Sequence, residues 1–271
     1  MTNQELLNKY SEYLTARGQS RNYYNLMRIW LGYLDEQKIE TITQEVITNF
    51  FNSNKYSFNS KNMFVKAGRD YYSNYLQIPK AQNEWYKIKL LKVERKIPNY
   101  LTEKDIEEAK KYLITYFSHK MTPNKIRAVI DFMFYSGCRK EELLTLKREK
   151  FNLEENIAKL YGKGNKERII CYPEKVKKEI ETYFNSENED KNAFNLTIGK
   201  IHYVMKLLKK CLGKNVYCHL FRHGNARNLI LKGVPVNIVS KLLGHSSLTT
   251  TLIYIDPDQE MIKNIYKDKI K

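Results

Sequence analysis

Apolar residues along this chain recur mostly at three- and four-residue spacing, the pattern of amphipathic helices packed on a core. Residues 4–15 and 20–36 show it first. Leu26, Trp30, Leu31 and Leu34 share one face of the second segment, and Ser20 is placed to cap it. Residues 42–52 and 60–76 predict two more helices. Their stripe of Phe64, Tyr71, Tyr72 and Tyr75 reads as core rather than as a base-stacking platform, because a small helical domain needs large apolar groups. Around residues 88–99 the pattern gives way to a polar, basic stretch closed by Pro98. That stretch is a candidate linker, over 91–99, between domains at 1–90 and 100–271.

Beyond it, Thr102 followed by Glu103, Lys104 and Asp105 predicts a helix start, with acids where the helix dipole favours them. Helices are expected at 102–117 and 122–136, with another beginning near Arg139. Between Phe151 and Pro173 the period changes. IAKLYG and ERIICY are short apolar runs joined by GKGNK, which predicts a β-hairpin. Helical pattern resumes at 174–184, 198–212, 220–232 and 236–243, with Gly244 as a C-cap and a short helix around Tyr254. The expected fold is mainly α with a small β-sheet, in two domains. Only 11 glycines and 6 prolines occur in 271 residues, which argues against a many-turned all-β fold.

Charge adds a partner. Lys and Arg number 47 against 30 acids, a formal net charge of +17. Residues 1–95 hold 14 basic and 9 acidic side chains, and the remainder 33 and 21, so both parts are basic. Such a chain suits a polyanion, because each phosphate neutralised releases counterions. Basic membrane-surface and ribosomal proteins share the property, so charge alone does not decide. No stretch approaches the roughly 18 apolar residues of a membrane span, and MTNQELLNKY lacks the features of a secretion signal. A cytoplasmic, nucleoid-associated protein is expected. The four cysteines, Cys138, Cys171, Cys211 and Cys218, show no CxxC spacing and read as ordinary thiols.

Five local patterns bear on chemistry. SGCRKEELLTL sets Arg139 at a helix start with Glu142 one turn later; alone, this is a surface ion pair. GKGNKER puts Lys163 on the hairpin turn, where a lone lysine is usually only solvated. HLFRH places His219 and Arg222 three apart on one helical face, able to address one anion. KLLGHSS sets His245 just past a helix end, and Tyr254 follows nine residues later in a chain with 21 tyrosines.

Taken in order, R…K…HxxR…LGH…Y resembles the catalytic signature of the tyrosine recombinase (phage integrase) family, in its compact Xer-like form. SGCRKEELLTL is similar to that family's first box, and HLFRHGNARNLILKGVPVNIVSKLLGHSSLTTTLIY to its second, nearly end to end. The resemblance is strong over residues 98–256, while residues 1–90 match in character only. It implies a helical core-DNA-binding domain, a catalytic domain with a C-terminal exchange helix, a clamp around duplex DNA, and a tetramer on two sites. It places the catalytic residues at Arg139, Lys163, His219, Arg222, His245 and Tyr254, with Glu142 supporting Arg139. Lys166 and Arg168 are alternatives on the hairpin. Gly224-Asn225 stands where relatives often carry Thr-Phe, a departure expected to alter packing rather than chemistry.

These residue types suit attack on a phosphodiester. Two guanidiniums on the non-bridging oxygens stabilise charge growing in the transition state. A phenol of pKa about 10 is only about one part in a thousand ionised at neutral pH, so Tyr254 needs cations or a base, for which His219 is the expected acceptor. Lys163 is the expected donor to the departing 5′ oxygen, and His245 a phosphate ligand. The family's product is a 3′-phosphotyrosyl link and a free 5′ hydroxyl, made without ATP. No cofactor is implied, and no acidic triad suggests magnesium.

A zinc reading, through Cys211, Cys218, His219 and His223, is weakened by a cysteine spacing wider than usual. Two other functions compete: a non-catalytic DNA-binding protein of the same fold, and a type IB topoisomerase with the same chemistry. Chromosome or plasmid dimer resolution is the first expected role, and integration of a mobile element the second. After Tyr254, residues 256–271 predict a capped amphipathic helix that docks on a neighbouring protomer in the resembling family.

Overall fold

The computed structural model describes residues 3–19, 21–34, 42–93, 99–114, 121–162, 167–186, 192–245 and 247–254. Ser20, most of the expected linker, the hairpin turn with Lys163 and Lys166, and the expected terminal helix lie outside them. The chain divides into two compact units, Met1–Arg95 and Lys96–Lys271.

The first unit is built on α1 (Asn3–Ala16), α2 (Arg21–Leu34), α3 (Gln44–Ser53) and α4 (Phe58–Asp70). Thr43 and Ser57 cap α3 and α4 by accepting backbone N–H bonds from Val46 and Ser60. The apolar faces enclose an aromatic core in which Trp30 lies edge-on to Phe50 and Trp85. Two hydrogen bonds pair polar groups inside this core, where an unpaired group is costly. The Trp30 Nε1–H donates to Tyr72 Oη at 3.1 Å, and the Tyr10 hydroxyl to Asp70 at 3.0 Å. One difference from the sequence pattern appears here. The helix expected to run to residue 76 ends at Asp70 and continues as a single π turn, Tyr71–Tyr75, with Leu76 N–H bonded to Tyr71 O at 2.9 Å. The wider turn seats Tyr71 and Tyr72 inside and leaves Tyr75 packed at the core's edge.

The second unit is organised around α6 (Pro123–Ser136), ten of whose fourteen residues are buried. Against it pack α5 (Glu103–Ile114), α8 (Glu174–Ser186) and α10 (Cys218–Leu231). Thr102 caps α5 as expected: its hydroxyl accepts from the Asp105 N–H, and the Asp105 carboxylate accepts from the Thr102 N–H. A buried cluster ties α5, α6 and α8, with Lys110 2.7 Å from Asp131 and 3.1 Å from Glu179, which also meets Arg127. α7 (Lys140–Thr145), α9 (Ile198–Leu212), α11 (Val236–Leu243) and α12 (Thr249–Leu252) complete the helices.

The hairpin is present as β2 (Ile157–Tyr161) and β3 (Glu167–Cys171), antiparallel with Ala158 opposite Ile170 and Leu160 opposite Arg168. A two-residue β1 (Phe151–Asn152) pairs with β2, making three strands in the order β1-β2-β3. Alternation sends Ala158, Leu160 and Ile170 into the core and, with the same parity on β3, turns Arg168 inward. Gly224 on α10 explains the departure noted in the sequence. A Cβ there would lie 2.2 Å from the Leu101 carbonyl oxygen and 2.7 Å from the Phe134 ring, so only hydrogen fits. Among the described residues, no helix is long and apolar enough to cross a membrane.

Candidate active site

The C-terminal end of α11 is the frame of the site. Gly244 adopts the left-handed conformation, φ 66°, and the His245 N–H reaches back to Ser240 O at 3.0 Å. A helix end leaves carbonyls without intrahelical donors and carries partial negative charge. Three guanidiniums meet them. Arg168 donates to Leu242 O, Arg222 to Leu243 O, and Arg139 to Gly244 O at 2.8 Å. Arg222 also donates to Gly137 O at 2.9 Å. Residues from α6–α7, β3 and α10 thus converge on one helix end, which hands the chain on to His245 and Tyr254.

Glu142 holds the cations together. Its carboxylate, 2% exposed, accepts from the Arg139 backbone N–H at 2.7 Å, from Arg139 Nη1 at 2.9 Å and from Arg168 Nη2 at 2.7 Å. Burial pushes that carboxyl upward, but the hydrogen bonds and charge of Arg168, then of Arg139, outweigh it and hold Glu142 below the usual glutamate range. Arg222 is 4% exposed. Burial, with Arg139 and Arg168 nearby, lowers it to about 10, so it remains a cation at neutral pH. Each guanidinium has five N–H donors, so the bonds to carbonyls orient the forks without exhausting them.

The histidines differ in setting. His245 Nδ1 lies 2.7 Å from the buried Thr251 hydroxyl. Burial and the three arginines bring His245 down to about 4, leaving it neutral at pH 7. His219 is exposed in the first turn of α10, its ring 6.0 Å from that of His223. Tyr254 is 3% exposed and held at both ends by α10. Its hydroxyl hydrogen-bonds His223 Nδ1, and its carbonyl accepts from Arg227 Nη1 at 2.8 Å. Burial raises the phenol above its ordinary value, and the charge of Arg222 pulls the other way.

Of the residues singled out in the sequence, Arg139, Glu142 and Arg222 gather at the end of α11, His245 and Tyr254 lie within the field of their charges, and His219 is exposed on α10. Lys163 lies outside the described residues. Arg168 and His223 are further members of the site. Arg168 stood only as an alternative hairpin cation, although its parity with Ile170 marks it as inward. His223 figured only as a zinc ligand, although it lies one helical turn after His219. Among the described residues, no group of three or more His, Cys, Asp or Glu side chains is placed to hold a metal, so the four residues of the competing zinc reading are not assembled as a site.

Comparison with known proteins identifies the family. Residues 99–261 match the phage integrase family. A tyrosine recombinase of Thermosipho africanus is 32% identical over 209 residues, covering 72% of this chain and 71% of the relative. The tyrosine recombinase XerA of Pyrococcus furiosus is 27% identical over 263 residues, covering 92% and 88%. In fold, the chain resembles the XerH site-specific recombinase in its pre-cleavage complex with difH, with a TM-score of 0.69 at 20% identity over 92% of this chain and 79% of that one. With an integrase signature carried on this fold and a family match spanning more than half its length, the chain belongs to the phage integrase family and is a tyrosine recombinase, a site-specific enzyme that cleaves and rejoins DNA.

Proposed function

We propose that Tyr254 is the nucleophile and that the chain acts in Xer-like resolution of chromosome or plasmid dimers. The observation that carries the first part is the placement of Tyr254, its hydroxyl on His223 and its phenol within the field of Arg222, so that its ionisation is opposed by burial and favoured by Arg222. In this reading Arg139 and Arg222 grip the non-bridging oxygens of the scissile phosphate with the N–H groups left over from their carbonyl bonds. His245, neutral and steadied by Thr251, hydrogen-bonds the phosphate, and His219 approaches it from the exposed side. Lys163 protonates the departing 5′ oxygen, a role that rests on the resemblance alone. The Tyr254 oxygen displaces the 5′ oxygen, leaving a 3′-phosphotyrosyl link that a second 5′ hydroxyl reverses. Because one phosphoester replaces another, religation needs no external energy.

The Xer-like role is supported by the name of the Pyrococcus furiosus relative, which aligns with 92% of this chain. On that reading residues 1–90 form a core-DNA-binding domain and 91–99 a linker, and four protomers assemble on two sites in the cytoplasm. In the same reading a neighbour's terminal helix docks near the end of the second unit, where Leu231, Ile238, Leu248 and Leu252 are exposed. The test of the nucleophile is Tyr254→Phe on a nicked substrate that traps the adduct. DNA affinity is expected to survive while the covalent band on a denaturing gel disappears. A persistent band refutes the assignment.

A further inference from the structure

We propose that His223, rather than His219, is the general base that takes the proton of Tyr254 in cleavage and returns it in religation. The inference rests on the nucleophile reading above and starts from α10. His219, Arg222, His223 and Arg227 follow at helical spacing, so one helix presents two imidazoles and two guanidiniums along neighbouring faces. Of the two imidazoles, His223 is the one whose ring nitrogen meets the Tyr254 hydroxyl. The rings stand 5.5 Å apart at 50°. One turn later Arg227 anchors the same tyrosine by its carbonyl, so the contact is fixed at two points rather than at a freely swinging side chain.

The state of His223 suits acceptance. Burial, then the neighbouring His219 and Arg222, lower it to about 4, so at neutral pH the ring is uncharged and Nδ1 is a free lone pair when the proton sits on Nε2. A base so depressed would be weak toward an ordinary phenol. Binding changes the balance, because the scissile phosphate brings a negative charge to Arg222 and offsets one of the cations that disfavour imidazolium. The same phosphate draws the Tyr254 oxygen into bonding as its proton leaves.

The step balances. The Tyr254 O–H proton moves to His223 Nδ1, the Tyr254 oxygen–phosphorus bond forms, the phosphorus–O5′ bond breaks, and the O5′ takes a proton from a separate acid, the role given to Lys163. In religation the imidazolium returns its proton to the departing Tyr254 oxygen as the 5′ hydroxyl re-forms the original bond and gives its proton back.

The experiment compares single-turnover cleavage by the full-length wild type, His223→Ala and His223→Asn. Each is made with tyrosine at 254 and again with a fluorinated tyrosine whose phenol ionises near neutral pH. With tyrosine, His223→Ala is expected to slow cleavage about 100-fold, and with the fluorinated residue the deficit is expected to shrink below about tenfold, because an ionised nucleophile needs no base. His223→Asn offers an acceptor oxygen without basicity and is expected to stay slow with tyrosine. Unchanged cleavage by His223→Ala overturns the proposal, as does full rescue by asparagine, which would make the contact one of positioning only. An equal deficit with both nucleophiles also overturns it, because a damaged scaffold would not distinguish them. An adduct formed by Tyr254→Phe, in contrast, would remove the nucleophile reading itself. If His223→Ala does not fold, the asparagine variant carries the same comparison.

Discussion

Glu142→Gln tests whether the arginine network is held by charge. The substitution keeps the size and shape of the side chain and removes one negative charge from a site 2% exposed. The carboxylate accepts from Arg139 and Arg168, including contacts of 2.9 and 2.7 Å between charged groups, and an amide nitrogen in place of one oxygen faces those donors with donors of its own. Breaking a buried pair by removing one partner costs about 3–5 kcal/mol. The Arg139 side chain is 31% exposed, so water recovers part of its loss, whereas Arg168 at 11% recovers little. The lower end, about 3 kcal/mol, is therefore expected. For a unit of this size that lowers Tm by about 6–12 °C.

The same argument predicts a pH signature. Glu142 is more acidic folded than unfolded, so its contribution is fully present above the ordinary glutamate value of 4.5 and is lost as pH falls from there through the lower folded value. Thermal unfolding of both proteins, at neutral pH and at successively lower pH below 4.5, checks it. The two melting curves should converge on acidification. A neutral-pH loss of less than about 1 kcal/mol, the range of an exposed ion pair, would refute the reasoning. So would a difference that does not change with pH.

Two further outcomes follow from other parts of the second unit. Gly224→Ala sets a methyl 2.2 Å from the Leu101 backbone carbonyl oxygen, so a destabilisation of about 3 kcal/mol is expected by thermal melting, at the top of the range for overpacking; a melting temperature equal to wild type would show that Leu101 yields. If Lys163 protonates the leaving group, a DNA substrate with sulfur at the bridging 5′ position should restore cleavage to Lys163→Ala far more than to Arg139→Ala, and selective rescue of Lys166→Ala instead would move the role to that lysine.

Most helices were legible because burial is written at three- and four-residue spacing, as along α2 and α11, and because Thr102 and Gly244 mark ends by local chemistry. β1 was not legible, because two residues carry no period. The π turn was not either: Tyr71 and Tyr72 look alike in any helical register, and the extra residue is settled by packing in the aromatic core. Arg139, Arg222 and Tyr254 were legible as an ordered motif. Arg168 was harder, because its contact with the Leu242 carbonyl joins residues far apart in the chain, and its parity with Ile170 was the sole local clue. His223 had the same difficulty. Its partner is the tyrosine 31 residues later, and nothing within HLFRH says which imidazole faces it.

The arginine-held end of α11 bears on how such an enzyme could lose its activity by drift. Arg139, Arg168 and Arg222 serve the architecture, since each one satisfies a carbonyl at the end of α11, and in the reading proposed above Arg139 and Arg222 serve the chemistry as well. In that reading, losing Arg139 or Arg222 to a neutral residue costs the fold at the moment it costs the reaction, and a lysine, with no planar fork, does not reproduce the bonds. The Tyr254 hydroxyl has a lighter structural duty, a single bond to His223. A descendant under selection only to bind DNA would therefore shed the proposed nucleophile first and keep its arginines long afterwards. In this architecture an intact set of arginines records ancestry and folding, while, with Tyr254 as the proposed nucleophile, the hydroxyl at position 254 records present catalysis.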